Sequence, residues 1–253
     1  MKLVENIFYT DLKHHQQTLD IYLPEEKTFP VLIYFHGGGI VSGDKTNGKD
    51  TYIKALVEKG IAVISANYRM YPDAKYPDFI YDAASAVAWT MRNISEYGEA
   101  QAFFVGGSSA GGYLSQMLCF DKKYLDLYRV DSDSINGYIH NAGQPTVHYN
   151  VLRERGIDSR RVLVDDAAPL FHITKDRNYA PMQIIYAEND MENRPEQLKL
   201  LVSTLKHFGC NMDNVELIHM EGYGHCEYDE KPDENGNSIL AEVIGTFISK
   251  HSK

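Results

Sequence analysis

Residues 102–112 of the chain are AFFVGGSSAGG, an apolar run followed directly by a turn of glycines and serines. The run over 102–105 predicts a buried strand, and residues 110–120 predict a helix. The turn between them fits the pattern G-x-S-x-G, in which a serine lies on a sharp strand-to-helix connection and small neighbours let the backbone pack closely. Ser109 is at the centre of this pattern and is the candidate nucleophile, while Ser108 occupies its variable position.

Strands and helices alternate on both sides of this turn. Period-two alternation, or a short apolar run, predicts a strand, and apolar residues at helical spacing predict a helix. An antiparallel pair is predicted first, at residues 3–10 and 16–23. Further strands are predicted at 31–35, 61–68, 102–105, 136–140, 182–187 and 215–220, and helices at 52–59, within 77–97, and at 110–120, 195–208 and 239–250.

Alternating strands and helices favour a mostly parallel sheet covered by helices on both faces. We therefore predict an α/β fold with an eight-stranded sheet, in one domain over residues 1–253, because neither a repeat nor a low-complexity linker divides the chain. The exception is 121–179, where only 136–140 resembles a strand. We expect an insertion or short cap there, over the mouth of a site, since long irregular segments in compact domains are often functional.

Composition excludes several classes of protein. The chain has 25 Lys and Arg against 35 Asp and Glu, a net charge of −10, which argues against binding nucleic acid. Its apolar runs, such as 31–35, are far shorter than the ~20 residues of a membrane-spanning helix. The opening MKLVEN contains no hydrophobic signal core, so we expect a cytoplasmic protein. Three cysteines without CxxC spacing are expected to be free thiols, and the oligomeric state is left open.

A serine nucleophile needs a base, and ten histidines are available. His225 ends the glycine-rich segment EGYGH, directly after the predicted strand 215–220, at the edge where the functional loops of a parallel sheet gather. It is therefore the predicted base. His219 falls inside that strand and is predicted to be structural. The histidines in or near the 121–179 segment stay open as pocket residues: His140, His148 and His172.

A carboxylate is needed to orient the histidine. Asp190 follows the predicted strand 182–187, and the chain order Ser109, Asp190, His225 matches the order of nucleophile, acid and histidine in one known sheet architecture. Glu188 is its main rival and Asp213 a weaker one.

His36-Gly37-Gly38-Gly39 follows another buried strand and leaves backbone N–H groups unshielded by side chains. Such groups can stabilise an oxyanion, with His36 shaping the loop, although the same sequence would also suit a flexible loop. Neither G-x-G-x-x-G nor a P-loop pattern is present, so we expect no nucleotide. HExxH is absent, and the acidic cluster at 229–234 lacks calcium-loop spacing, so we expect no metal and no cofactor.

Taken together, these motifs resemble the α/β-hydrolases, and within them the esterases of the hormone-sensitive-lipase-like branch. The resemblance implies that the N–H groups of Gly38, Gly39 and Ala110 form an oxyanion hole. The matching blocks are HGGG at 36–39, Tyr68-Arg69 with Tyr76-Pro77 and Asp82, GSSAGG at 107–112, and the loops of Asp190 and His225.

The sequence departs from that branch in two places. Ser108 stands where the branch has the Asp of GDSAGG, and the long helical N-terminal cap of the branch is missing. These differences favour the smaller carboxylesterases, including feruloyl and acetyl esterases of carbohydrate esters. We therefore expect a serine carboxylesterase for small, short-acyl esters. The alternatives are an amide hydrolase, such as kynurenine formamidase or a small peptidase, and a non-catalytic receptor on the same fold.

Overall fold

The structure is a computed structural model that describes residues 1–175 and 177–252. Its strands are β1 (Lys2–Phe8), β2 (Thr18–Leu23), β3 (Thr28–Phe35), β4 (Ala62–Ala66), β5 (Glu99–Ser108), β6 (Gly137–Asn141), β7 (Met182–Asn189) and β8 (Val215–Gly224). Its α-helices are α1 (Lys54–Glu58), α2 (Asp78–Asn93), α3 (Ala110–Phe120), α4 (Lys123–Asp126), α5 (Tyr149–Glu154), α6 (Arg194–His207) and α7 (Ile239–His251).

The strands form one eight-stranded sheet in the order β1-β2-β4-β3-β5-β6-β7-β8. β2 pairs antiparallel with both β1 and β4, and the other neighbours are parallel, which confirms the predicted mostly parallel sheet. β3 and β5 pair in a register that sets Phe35 opposite Gly107. The loops that follow these two strands, HGGG and GSSAGG, therefore leave the sheet at the same edge.

Helices cover both faces of the sheet. Helices α2, α3 and α6 bury side chains in the larger apolar core, and α1 and α7 bury theirs in the second core on the opposite face. Every residue of α3 is buried, which holds the helix tightly against the sheet. Since α3 begins directly after Ser109, the same packing immobilises the serine turn.

Among the strands that extend further than the sequence predicted, β7 and β8 bear on the site. β7 continues to Asn189 and β8 to Gly224, past the predicted ends at 187 and 220. The added residues of β7 are exposed and polar, so hydrophobic periodicity does not mark them. They become strand because Asn189 pairs with Gly224 after a register shift. Asp190 and His225 therefore directly follow adjacent, paired strand ends.

The 121–179 segment has more helix than its sequence indicated. It contains α4 and α5 in addition to β6, and both helices are too short to show a full helical period. Part of the segment packs on α3, where the Tyr113 hydroxyl donates to the carbonyl of buried Ala167 over 2.9 Å. α5 lies beside the loop that follows β3, since its Asn150 side chain donates to the Gly39 carbonyl.

Every helix within residues 1–175 and 177–252 is too short or too polar to cross a bilayer. The three cysteines are unbridged, as predicted: Cys119, Cys210 and Cys226. In the same described residues, no group of three or more His, Cys, Asp or Glu side chains is arranged to hold a metal ion.

Candidate active site

Ser109 lies on a sharp turn between β5 and α3, with φ 54° and ψ −109°. This conformation is unusual for a residue with a side chain and is held by its surroundings, because the Ser109 N–H donates to the carbonyl of Asn141 over 2.8 Å. The flanking glycines permit close packing. A Cβ on Gly107 would lie 2.4 Å from the carbonyl carbon of Gly111, and one on Gly111 would lie 1.9 Å from the Phe35 oxygen.

The imidazole of His225 connects Ser109 to Asp190. Its Nε2 lies 2.7 Å from Ser109 Oγ, and its Nδ1 lies 2.5 Å from Asp190 Oδ1. An ionised carboxylate only accepts hydrogen bonds, so Nδ1 donates to Asp190 and Nε2 is left to accept the Ser109 hydroxyl proton. The structure thus brings the three predicted residues into one hydrogen-bonded chain.

The rival carboxylates lie elsewhere. The side chain of Asp190 is fully buried against the half-buried His225. Glu188 instead accepts the backbone N–H of Gly222 over 2.9 Å, which ties the end of β7 to β8. Asp213 lies in the short turn before β8, at the opposite end of that strand from His225. Of the three candidate acids, only Asp190 contacts the imidazole.

The glycine loop after β3 packs directly against the serine turn. A Cβ on Gly37 would lie 3.4 Å from Ser109 Cβ. Gly38 and Gly39 have φ angles of 110° and 65°, which glycine adopts without a steric penalty. Within residues 1–175 and 177–252, the N–H groups of Gly38, Gly39 and Ala110 have no backbone acceptor. No backbone carbonyl of the described residues therefore competes for these three donors.

Tyr68, another residue of the family resemblance, supports this loop, and its neighbour Arg69 forms a separate ion pair. The Tyr68 hydroxyl donates to the carbonyl of His36 over 2.8 Å, and the two rings stack with centroids 4.6 Å apart. His36 Nδ1 bonds the Gly37 carbonyl over 2.7 Å, and burial lowers the pKa of His36. Arg69 pairs with Asp82 through its Nε over 2.8 Å. His36 therefore shapes the loop, as the sequence predicted.

The histidines left open by the sequence have structural contacts. Burial lowers the pKa of His140 to about 3, and its Nδ1 bonds a serine hydroxyl on α3 over 2.9 Å. His148 Nδ1 accepts the N–H of Asn150 over 3.2 Å and caps α5. His172 Nε2 donates to a backbone carbonyl over 2.9 Å. His225 is the one that reaches the serine.

A buried polar network lies behind Ser109, and no sequence motif predicted it. Ser108 Oγ lies 2.8 Å from the Tyr34 hydroxyl and donates to Asp229 over 2.5 Å. The Asn141 amide donates to both Ser108 and Asp229, each over 2.9 Å, and accepts from the Tyr228 hydroxyl over 2.6 Å. With Asp229 ionised and the Tyr34 hydroxyl donating to Ser108, each of these contacts pairs one donor with one acceptor.

Asp229 lies four residues after His225, so the network ties the histidine loop to the end of β5. The resemblance places an Asp at the position of Ser108. Here a carboxylate reaches that position from a distant part of the chain. The only sequence signal was the acidic cluster at 229–234, which lacks calcium-loop spacing and gives no indication of this contact.

Asp229→Asn is expected to remove a pH dependence of stability. Burial raises the pKa of Asp229 from 3.8 to about 6, although hydrogen bonds from Ser108 and Asn141 act in the opposite direction. The folded state therefore binds this proton more tightly than the unfolded chain, and the contribution of Asp229 to the free energy of unfolding falls as pH rises from about 4 to about 6. At about 1.4 kcal/mol per pKa unit, the fall is up to about 3 kcal/mol.

Urea unfolding of the wild type and of Asp229→Asn, between about pH 4 and pH 7, measures this contribution. It is the difference between the unfolding free energies of the two proteins at each pH. Glu234→Gln is the matched control, since Glu234 is an exposed carboxylate that is not among the causes of the raised Asp229 pKa, and this variant should keep the wild-type slope. A difference between wild type and Asp229→Asn that is constant across this range would contradict the assignment.

A cavity of about 310 Å³ lies against Ser109 and His225. Its wall includes Gly37 and Gly38 of the glycine loop and Asp229 of the buried network. This volume is at the lower end of the range for small-molecule sites. Ser109, His225 and the glycine loop therefore face one small space.

Comparison with known proteins identifies the family. The BD-FAE family model matches residues 19–151, more than half of the chain, including the glycine loop and the serine turn. Esterase LipC of Mycobacterium tuberculosis is 27% identical over 231 residues, which cover 83% of this chain and 56% of LipC. This chain thus spans little more than half the length of that relative.

Solved structures share the fold. A truncated carbohydrate esterase from gut microbiota has a TM-score of 0.79 at 20% identity, covering 100% of this chain and 96% of that one. An esterase from the archaeon Pyrobaculum calidifontis has a TM-score of 0.76 at 19% identity, covering 100% and 87%. With a family match over more than half of its length and this eight-stranded sheet, the chain belongs to the BD-FAE family and has the α/β-hydrolase fold.

Proposed function

We propose that the chain is a serine carboxylesterase that hydrolyses small esters through an acyl-enzyme intermediate. The observation that carries this proposal is the hydrogen-bonded order of Ser109, His225 and Asp190 on a strained turn. A receptor would need neither the strained serine nor a histidine oriented by a buried carboxylate. The word esterase in the names of LipC and of the structural neighbours supports the same activity.

In the proposed reaction, Ser109 Oγ attacks the ester carbonyl carbon while His225 Nε2 takes the hydroxyl proton. Asp190 keeps the imidazole in the required tautomer and stabilises the imidazolium. The C–O bond to the alcohol then breaks, and His225 delivers the proton to the leaving oxygen. Water attacks the acyl-enzyme by the same sequence, which releases the acid and restores Ser109.

The N–H groups of Gly38, Gly39 and Ala110 are the proposed oxyanion hole. They have no backbone acceptor among the residues described, and the glycine loop packs on Ser109. Donors fixed in advance stabilise the negative charge of the tetrahedral intermediate without reorganising. A single donor of this kind is typically worth on the order of 10² to 10³ in kcat.

The proposed substrates carry short acyl groups, and acetyl or feruloyl esters of carbohydrates are included. The cavity of about 310 Å³ beside Ser109 supports a small acyl group. One structural neighbour is named a carbohydrate esterase. Residues 121–179 are proposed to act as a short cap within a single domain, since α5 lies beside the glycine loop: Asn150 of this helix donates to the Gly39 carbonyl.

Hydrolysis of p-nitrophenyl esters of increasing chain length tests the function. We expect acetate and butyrate to be turned over and long-chain esters to be poor substrates, with one fluorophosphonate label on Ser109. Acetylated sugars, feruloyl esters and N-formylkynurenine are assayed in parallel. Turnover of N-formylkynurenine alone would favour the amide hydrolase, and absence of both turnover and label would favour the receptor.

A further inference from the structure

A second and larger cavity, of about 440 Å³, lies between the start of α6 and the segment around α5. Four arginines line it, and among the described residues Glu192 is the only acidic side chain in its wall. The whole chain carries a net charge of −10, so this concentration of positive charge is a local feature. The four arginines are Arg153, Arg160, Arg161 and Arg194.

Arg194 is buried, and the nearest partners of its guanidinium are neutral. Only 4% of it is exposed, and its guanidinium donates to the Ala142 carbonyl over 2.6 Å and to Gln144 Oε1 over 3.3 Å. Both partners are neutral, and no ion pair of Arg194 occurs in the part of the chain that the structure describes. Burial lowers the pKa of Arg194 despite the opposing charge of Asp190. A buried cation in these surroundings favours an anionic ligand.

The other three arginines are exposed at the rim. Arg153 lies over the Tyr149 ring, 5.3 Å from its centroid, and donates to the Asn150 side chain over 2.9 Å. Arg160 is paired with Asp158 at 2.5 Å. Arg153 and Arg161 form no ion pair within the described residues. Two exposed guanidinium groups, neither of them in an ion pair with a described residue, therefore lie beside the buried one.

This cavity adjoins the proposed active site. The Tyr149 hydroxyl, in its wall, lies 2.1 Å from the position that a Cβ on Gly39 would occupy, so the ring packs on the glycine loop. Met191, also in the wall, directly follows Asp190. Arg194 donates to the carbonyl of Ala142. The preceding residue, Asn141, accepts the N–H of Ser109. The wall of this cavity therefore touches the glycine loop of the proposed active site and continues into the chain segment that follows Asp190.

We propose that this cavity is a subsite for a carboxylate carried by the ester substrate, so that the enzyme prefers anionic esters to neutral ones. A planar guanidinium matches the two oxygens of a carboxylate and binds them through paired hydrogen bonds. Arg194 supplies the buried contact, and Arg153 and Arg161 attract the anion at the rim. The inference rests on the proposed esterase function and specifies its class of substrate.

The test compares kcat/KM for two matched pairs of esters. In the first pair, mono-p-nitrophenyl adipate carries a carboxylate on the acyl side, and p-nitrophenyl hexanoate is its neutral counterpart. In the second pair, 3-carboxyphenyl acetate carries a carboxylate on the alcohol side, and phenyl acetate is its neutral counterpart. We expect the wild type to prefer the charged member of at least one pair. Arg153→Gln combined with Arg161→Gln should reduce that preference about ten-fold or more, which corresponds to about 1.4 kcal/mol.

Lys199→Gln combined with Lys206→Gln is the charge-matched control. It removes two positive charges from α6 outside the cavity wall and should keep the preference. Arg194 is left intact because it also holds Ala142 and Gln144. Equal turnover of charged and neutral esters by the wild type would overturn the subsite. An equal loss in both double variants would show long-range attraction and would overturn it too.

Calorimetric binding of monomethyl adipate to Ser109→Ala gives a readout that does not depend on turnover. We expect binding that weakens about ten-fold when Arg153→Gln and Arg161→Gln are added to Ser109→Ala. If the wild type hydrolyses none of the esters but Ser109→Ala binds monomethyl adipate, the esterase function is rejected and the anion site is kept. If the wild type hydrolyses neutral esters without preferring charged ones, and Ser109→Ala does not bind monomethyl adipate, the anion site is rejected and the esterase function is kept.

Discussion

Ser109→Ala is expected to abolish fluorophosphonate labelling and to lower kcat for p-nitrophenyl acetate by on the order of 10⁴ to 10⁶. The substitution removes the attacking oxygen and leaves the glycines that shape the turn in place. The half-buried Ser109 contributes little to the core, so the unfolding temperature should stay near that of the wild type. Mass spectrometry of the labelled protein, initial rates and thermal unfolding measure the three effects.

Ser108→Ala is the matched control, one residue away, and it separates chemistry from packing. Ser108 Oγ lies in the buried network of Tyr34, Asn141 and Asp229. Its loss leaves buried polar groups without a partner and should cost about 1 to 3 kcal/mol of stability, while labelling of Ser109 continues. If Ser108→Ala lost the label and Ser109→Ala kept it, the assignment of the nucleophile would be wrong.

Asp190→Asn is expected to lower kcat by on the order of 10² to 10⁴ with the fold intact. An amide at this position can stabilise the wrong imidazole tautomer, and it cannot balance the imidazolium that forms when His225 takes the proton. Steady-state kinetics with p-nitrophenyl acetate measure the loss, and circular dichroism reports the fold.

Glu188→Gln is the control for Asp190→Asn, since it also changes a carboxylate to an amide near the end of β7. Gln can still accept the N–H of Gly222, so this variant should keep near-wild-type kcat. Asp213→Asn, before β8, should be equally mild. Near-native activity of Asp190→Asn together with a large loss in Glu188→Gln would make Glu188 the acid.

The sequence predicted the sheet, its helices and the chain order of Ser109, Asp190 and His225. These features are readable because each depends on local pattern: apolar runs for buried strands, helical spacing for helices, and glycines where the backbone must pass closely, as at Gly107 and Gly111. The carboxyl ends of parallel strands meet at one edge of the sheet. The sequence therefore predicted that Ser109, Asp190 and His225, which follow such strands, converge at that edge.

The true ends of β7 and β8 were not readable in the same way. Glu188 and Asn189 are exposed and polar, and they belong to the strand because β8 pairs with them. The choice between Glu188 and Asp190 depended on this extension, since it determines which side chain leaves the sheet beside His225. Local propensity does not specify the pairing partner.

By itself, the sequence determined the α/β-hydrolase fold, the strained serine turn, the glycine loop and the histidine loop, because periodicity and steric demand are encoded within a few neighbouring residues. Only the tertiary structure decided that Asp229 contacts Ser108, 121 positions away in the chain, and that four arginines from two separate segments share one cavity. Both depend on side chains brought together by packing. Their charges have no periodicity along the chain, so no local pattern could indicate them.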